Sequence, residues 1–163
     1  GAAPAASPAP APPPVAPAVE RAIPVAPADE RVVTPAVTEP PPRKPDEADY
    51  RRLLVAAERR YDAGKFLDAI ADYRRAIGIR STARAHVGLA RALYDANKAK
   101  DALKELELAI QDDGHYAPAW LLLGEIHQGD GRTRQARAAY ERFLQLEPNG
   151  EQASAVREIV SRM

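Results

Sequence analysis

The chain has 163 residues, a formal net charge of zero and an isoelectric point near 7.1. This neutrality argues against a protein whose main task is to bind nucleic acid or an anionic membrane. The chain has no cysteine, which excludes disulfides, thiolate metal sites and cysteine nucleophiles. No apolar run approaches the length of a membrane span, so we expect no direct insertion into a membrane.

The chain begins at Gly1 rather than at Met, and it shows no signal-peptide pattern. We therefore expect a piece excised from a longer protein. Its Ala, Arg and Pro usage is typical of a GC-rich bacterial source. The sequence leaves the bacterial cytoplasm and the periplasm both open as its compartment.

Residues 1–46 contain 14 of the 16 prolines. Proline fixes φ, removes backbone donors and prevents regular helices and sheet interiors. The composition therefore predicts a disordered Pro/Ala-rich linker over residues 1–46, with polyproline II character. Residues 22–25 and 31–35 interrupt this pattern with β-branched residues. These two segments are either variation within the linker or docking motifs for a partner.

The remaining residues, 47–163, contain a repeat. Ala69, Ala102 and Ala136 recur at separations of 33 and 34 residues. Other residues recur in register with these alanines: Ala57, Ala90 and Gly124 before them, then Tyr73, Leu106 and Tyr140, and Ala76, Ala109 and Phe143 after them. Turn residues fall at Gly64, Asn97 and Gly131, which tolerate the left-handed conformation that ends a helix. Each unit therefore predicts a helix, a tight turn and a second helix.

The pattern is clearest in the third unit, which reads W-x-x-L-G-x-x-H and then G-R-T-x-x-A-x-x-x-Y-x-x-F-L-x-x-x-P. In this it closely resembles the tetratricopeptide repeat family. The resemblance implies an all-α, right-handed α-solenoid of three helix-turn-helix repeats, at residues 50–82, 83–116 and 117–150, with a capping helix at 151–163. Asp46 is predicted to cap the first helix, with Glu47 and Asp49 in its first turn.

Members of this family bind peptides or helices along a concave surface that is lined by the first helix of each pair. On this sequence, the resemblance implies a partner-binding groove formed by Arg51, Leu54, Val55, Glu58, Tyr61, Arg84, Val87, Arg91, Tyr94, Leu121, Leu122 and Glu125, flanked by Asp62, Gly88, Asp95 and Gln128. Such a groove suits an amphipathic helix or an extended apolar peptide. The alternative is that part of this apolar surface packs against neighbouring helices.

Chaperone-binding members clamp an acidic C-terminal carboxylate with Lys, Asn and Arg. The matching positions here hold apolar, small or acidic residues, namely Leu54, Glu58, Gly88, Pro118 and Leu122. The resemblance therefore does not extend to a carboxylate clamp.

The sequence contains no catalytic constellation, so we expect no enzyme, no cofactor and no metal site. His86, His115 and His127 have no partner at metal-ligand spacing. His127 and Trp120 occupy core positions of the repeat, which favours a packing role for both, whereas His115 lies in a loop and is expected to be solvated.

Two functions remain. The first is a monomeric protein-protein interaction module, or adaptor, that is tethered by residues 1–46 to a larger protein and binds a peptide or helix in the groove. The alternative is a structural component of a bacterial envelope, pilus or secretion machine, in which the repeats self-associate. The partner is unidentified, and nucleic acid is not expected. Residues 50–84 carry a net charge of +5, which is either a solvated face or a site for an acidic partner.

Overall fold

The computed structural model describes residues 44–163, and the predicted linker falls almost entirely outside this range. Within it, every regular element is an α-helix: α1 (Glu47–Asp62), α2 (Phe66–Ile79), α3 (Ala83–Asp95), α4 (Ala99–Asp112), α5 (Ala117–Gly129), α6 (Thr133–Leu146) and α7 (Ala153–Arg162). The helices pack as three pairs, α1 with α2, α3 with α4 and α5 with α6, while α7 packs against α6. The predicted fold class, a solenoid of three helix pairs with a capping helix, is confirmed.

The turn inside each pair has the same backbone geometry. Gly64, Asn97 and Gly131 adopt φ values of 72°, 60° and 72°. In each turn the next residue donates its N–H to the carbonyl five positions earlier, at 2.8 Å. This bond closes a Schellman-type turn and satisfies a carbonyl that the helix end would leave unpaired. The positions predicted from glycine and asparagine are therefore the ones that reverse the chain.

Side chains cap the helices that begin the first two repeats. The Asp46 carboxylate accepts from the backbone N–H groups of Ala48 and Asp49, and the Asp49 carboxylate accepts from Asp46 N–H, as a capping box. At α3, Thr82 Oγ1 accepts from Ala85 N–H, and Asp112 at the end of α4 accepts from Ala83 N–H at 2.7 Å. The predicted Asp46 cap is confirmed, whereas the long-range cap from Asp112 carries no sequence signal.

The helix pairs approach closely because small residues lie where they cross. Ala57, Ala90, Ala69, Ala102 and Ala136 are completely buried. Larger side chains then fill the space between pairs. The core forms two clusters, one that spans the first two repeats and part of α5, and one that joins α5, α6 and α7. The two faces of α5 thus serve different parts of the core.

Two glycines give tyrosines from the second helices a place to pack. A Cβ at Gly88 on α3 would lie 2.4 Å from the Tyr73 ring of α2, and one at Gly124 on α5 would lie 2.4 Å from the Tyr140 ring of α6. Both rings are buried, with exposed fractions of 5% and 1%. Neither tyrosine could keep its position if the glycine below it carried a side chain.

One buried charge links α1 to α2. Asp72 on α2 is 2% exposed, and its carboxylate lies 2.5 Å from the Arg60 guanidinium of α1. Arg75 lies 3.7 Å from the other carboxylate oxygen. A buried carboxylate is tolerated only when it is paired, so this contact fixes the relative position of the two helices.

The glycine–tyrosine packing leads to the first prediction. Gly88→Ala should lower the free energy of unfolding, because the cost of forced repacking, about 1–3 kcal/mol, exceeds the helix-propensity gain of at most about 1 kcal/mol. Gly78→Ala is the matched control, since Gly78 is an exposed helical glycine whose added Cβ would meet no atom within 4 Å. That variant should be as stable as the parent or slightly more stable. Urea denaturation measures both, and equal stability of the two variants would contradict the packing.

Candidate functional site: a groove along the first helices

Three adjoining cavities follow the first helices of the three pairs. The first, of about 390 Å³, lies between α1 and the start of α3. The second, of about 490 Å³, lies among α1, α3 and α5, and the third, of about 520 Å³, lies between α5 and α7. Arg84 lines the first two cavities, and Leu121 and Gln152 line the second and third. We call these three cavities together the groove.

The end of the groove nearest α1 is held by ion pairs. Arg84 on α3 lies 2.7 Å from the Glu58 carboxylate of α1. This contact raises the pKa of Arg84 and neutralises both charges. Glu47 likewise accepts from Arg80 at 3.0 Å and from Arg51 at 3.3 Å. Beside these pairs Val55 is 45% exposed, which gives this end an accessible apolar surface.

Tyrosine side chains shape the middle of the groove. Tyr61 on α1 donates its hydroxyl proton to Asp95 of α3 at 2.5 Å, and its burial and this hydrogen bond raise its pKa to about 12. Tyr73 reaches the same cavity from α2 across Gly88, and burial raises its pKa to about 12. Burial also raises the pKa of Tyr116, in the loop before α5. These hydroxyls therefore remain protonated at neutral pH.

The end of the groove between α5 and α7 is mainly apolar. Leu121, Val156 and Ile159 line it, together with the Tyr140 ring, whose hydroxyl donates to Gln128 at 2.6 Å. Glu125 lies at its edge, where burial raises the pKa of the carboxyl and the positive charge of Arg91 partly offsets that effect.

The structure brings most of the predicted groove residues to these cavities. Ten line them: Arg51, Leu54, Val55, Glu58, Tyr61, Arg84, Val87, Arg91, Leu121 and Glu125. Leu54, Val87 and Leu121 are buried and form the floor. Of the flanking residues, Asp62, Gly88 and Gln128 also line the cavities.

Two predicted groove residues lie elsewhere. Leu122 is 3% exposed and packs in the core that α5 shares with the first two repeats, because it projects about 100° around α5 from Leu121. Its assignment to the groove surface is therefore wrong. Tyr94 is half-buried, and its hydroxyl lies over Gly129 of α5, outside the lining of the three cavities.

Sequence reasoning missed the lining residues that come from outside the first helices. They are Tyr73 and Tyr140 from second helices, Tyr116 from a loop, and Gln152, Ala155, Val156 and Ile159 from the segment that contains α7. The glycines at positions 88 and 124 were the available signal, because a glycine inside a helix often marks the close approach of another group.

A buried polar chain joins α3 to α4 away from the groove. The two ring nitrogens of His86 contact Glu105 at 2.8 Å and Ser81 at 2.9 Å. Glu105 lies 19 residues from His86 in the sequence, so its partnership was not predicted. The contacts satisfy a buried histidine and stabilise the packing of α3 on α4 within the second repeat.

The other predicted packing residues behave as expected. The Trp120 indole N–H donates to the Gly114 carbonyl at 3.0 Å, and the ring packs on the second core cluster. His127 is half-buried, burial lowers its pKa, and it is therefore neutral at neutral pH. His115 is exposed.

Within residues 44–163, the acidic and histidine side chains form no cluster that could hold a metal ion. In the same range, none of the helices combines the length and the apolar character needed to cross a membrane.

The raised pKa of Glu125 leads to the second prediction. The folded state holds a proton on this carboxyl more tightly than the unfolded state, so the native charge lowers the free energy of unfolding as pH rises above about 4.5. Glu125→Gln removes that penalty. The variant should gain stability over the parent at pH 7, and the gain should shrink towards zero below pH 4. Urea denaturation at both pH values measures it, and a gain that grows towards low pH would contradict the raised pKa of the Glu125 carboxyl.

The sequence is similar to known repeat proteins. The pattern that describes the tetratricopeptide repeat matches residues 93–159. A TPR repeat-containing protein of Pseudomonas aeruginosa is 35% identical over 57 residues, which cover 35% of this chain and 54% of the relative. The chain thus spans about half the length of the curated relative that it matches.

Solved structures share the fold. The first TPR of Spaghetti (RPAP3) bound to the HSP90 peptide SRMEEVD gives a TM-score of 0.65 at 23% identity and covers 72% of this chain and 94% of its own. PcrH in complex with the chaperone binding region of PopD gives a TM-score of 0.68 at 18% identity, and the match covers 74% of this chain and 94% of PcrH. The second TPR domain of human RPAP3 in complex with the HSP70 peptide SGPTIEEVD gives a TM-score of 0.63 at 25% identity, and the match covers 71% of this chain and 98% of that domain.

The repeated residues, the three helix pairs with their common turn and these similarities agree with one another. Residues 93–159 match the tetratricopeptide repeat, and residues 44–163 have the fold of tetratricopeptide repeat proteins.

Proposed function

We propose that this chain is a non-catalytic protein-protein interaction module that binds a peptide or a helix of a partner protein in the groove. The observation that carries the proposal is the continuity of the three cavities along α1, α3, α5 and α7. A continuous groove with a buried apolar floor and a polar rim suits an elongated ligand better than a small molecule.

The floor and the rim have different tasks in such a complex. Leu54, Val87 and Leu121 are buried before any partner binds, so they shape the groove and add little newly buried area. The accessible residues are the ones that a partner would cover: Arg51, Val55, Glu58, Tyr61, Arg84, Arg91 and Glu125. Substitutions that test binding therefore belong at the rim, because a charge placed in the floor would unfold the repeat.

The similar structures support the proposal, because PcrH and the two RPAP3 domains were each solved with a peptide or a binding region of another protein. The RPAP3 peptides end in EEVD. This chain lacks the Lys and Asn residues of a carboxylate clamp, and Glu58 at one clamp position is paired with Arg84. We therefore expect a different partner, held along the groove and not by a terminal carboxylate. The role of residues 1–46 as a tether stays a prediction from sequence.

Site-specific photo-crosslinking tests the proposal and provides the third prediction. A photo-crosslinking amino acid at Val55 should form adducts with a partner in cells that express the full chain. Leu108 on α4 is the matched control, since both side chains are 45% exposed and only Val55 lines the groove. The readout is the mass and identity of the adducts.

Adducts with another protein from Val55 and none from Leu108 are expected. Equal adducts from both positions would contradict binding in the groove. Adducts at twice the mass of the chain would instead favour the structural assembly component, in which the repeats self-associate.

A further inference from the structure

The middle of the groove contains one positive charge without a partner. Arg84 is occupied by Glu58, whereas Arg91 on α3 makes no ion pair or hydrogen bond with any residue of the described range 44–163. Arg91 is exposed and lines the central cavity. An unpaired guanidinium can bind an anionic group of a ligand through two parallel hydrogen bonds.

Two tyrosines that line the same cavity have hydroxyls without a hydrogen-bond partner among residues 44–163. The Tyr61 hydroxyl is used by Asp95, but those of Tyr73 and Tyr116 donate to no residue within 44–163. Tyr73 is only 5% exposed, so its position is fixed by the packing on Gly88. Both hydroxyls are protonated at neutral pH because burial raises their pKa. Tyr73, Tyr116 and Arg91 all line this cavity, so two hydroxyl groups and a guanidinium are available there as donors.

Negative charges nearby limit how many acidic residues of a bound segment the cavity can accommodate. Asp62 lines it, Glu58 is held at its wall by Arg84, and Glu125 lies at the edge of the next cavity. A strongly acidic segment would be repelled by these carboxylates. A segment with a single carboxylate at Arg91 meets less of this repulsion than a segment with several.

An apolar subsite adjoins this position. The cavity between α5 and α7 meets the central cavity at Leu121 and Gln152, and Val156, Ile159 and the Tyr140 ring form its walls. At about 520 Å³ it has room for a bulky apolar side chain. The donors that would bind the carboxylate and the apolar subsite are thus neighbours along one groove.

We propose that the groove recognises a partner segment with one side-chain carboxylate, bound by Arg91, Tyr73 and Tyr116, and a nearby bulky apolar side chain, bound between α5 and α7. The inference rests on the proposed function, since it requires a peptide or helix in the groove. It adds the chemistry that selects the segment. Leu, Met or Phe next to a single Asp or Glu is the expected signature.

Peptide selection tests this signature and provides the fourth prediction. Random 12-residue peptides displayed at the amino terminus of a phage coat protein are selected on the immobilised full chain. Such peptides have no free carboxyl terminus, so an acidic preference reports side chains. Arg91→Glu is the test variant. Arg74→Glu, an exposed and unpaired arginine of α2 outside the groove, is the matched control.

The parent and the Arg74→Glu variant should enrich one Asp or Glu near Leu, Met or Phe, whereas Arg91→Glu should enrich Lys or Arg instead. A selected peptide made as a C-terminal amide should lose affinity about 10-fold on Arg91→Gln and on its own Asp→Asn change. The two changes together should lose little more than either alone, because both break the same contact. Fluorescence anisotropy measures these affinities.

Enrichment of apolar peptides without an acid preference, or the same acidic peptides on Arg91→Glu, would overturn the inference and leave the proposed function standing. Losses that simply multiply in the double change would also overturn it. Absence of enrichment on the parent and on both variants would contradict the proposed function as well.

Discussion

The packing of tyrosines on glycines is the constraint on which the groove depends. Tyr73 and Tyr140 belong to second helices, yet both reach cavities along the first helices because Gly88 and Gly124 have no side chain in the way. Glycine inside a helix costs about 1 kcal/mol relative to alanine. Burying a tyrosine, about 150–250 Å² at about 25 cal/mol per Å², stabilises the fold by about 4–6 kcal/mol. The loss in helix propensity is therefore smaller than the gain in packing, and two tyrosine rings line the groove as a result.

The charges of the groove divide into those used by the fold and those left for a ligand. The Arg84–Glu58 pair and the Tyr61–Asp95 hydrogen bond both connect α1 to α3, so they stabilise the contact between the first two repeats. Arg91 has no such contact within the described residues. Exposed ion pairs contribute about 0–1 kcal/mol to stability, so the fold loses little by leaving Arg91 unpaired, and we propose that this residue acts in recognition. The lining of the groove holds four carboxylates and three arginines, and we propose that it still prefers a negative charge at Arg91.

Much of the fold could be predicted from the sequence because its signals are local and repeated. Gly64, Asn97 and Gly131 recur at each turn, and alanines recur at each crossing of helices. A single sequence does not show contacts between residues far apart that follow no period. The cap from Asp112 on α3 and the pairing of His86 with Glu105 are of this kind. Their geometry depends on the offset between neighbouring helix pairs, which no residue pattern encodes.

Most residues of the candidate site could also be predicted from the sequence, but not those that come from outside the repeated positions. The resemblance to the tetratricopeptide repeat family placed twelve residues in the groove, and ten of them line it. It also placed Leu122 there, although that side chain packs in the core. Adjacent residues on a helix point in directions about 100° apart. Leu121 can therefore line the floor of the groove while Leu122 packs in the core. The contributions of Tyr116 and of the segment around α7 come from a loop and from a helix outside the three repeats.

The central claim is that a partner segment lies along α1, α3, α5 and α7. Titration of the isotope-labelled full chain with a selected peptide, followed by backbone amide NMR shifts, tests it most directly. The account predicts that the largest shifts fall in these four helices and in the loop at Tyr116, with small shifts in α4 and in the outer face of α6. Largest shifts in α2, α4 and α6 would place the ligand on the opposite surface and contradict the account.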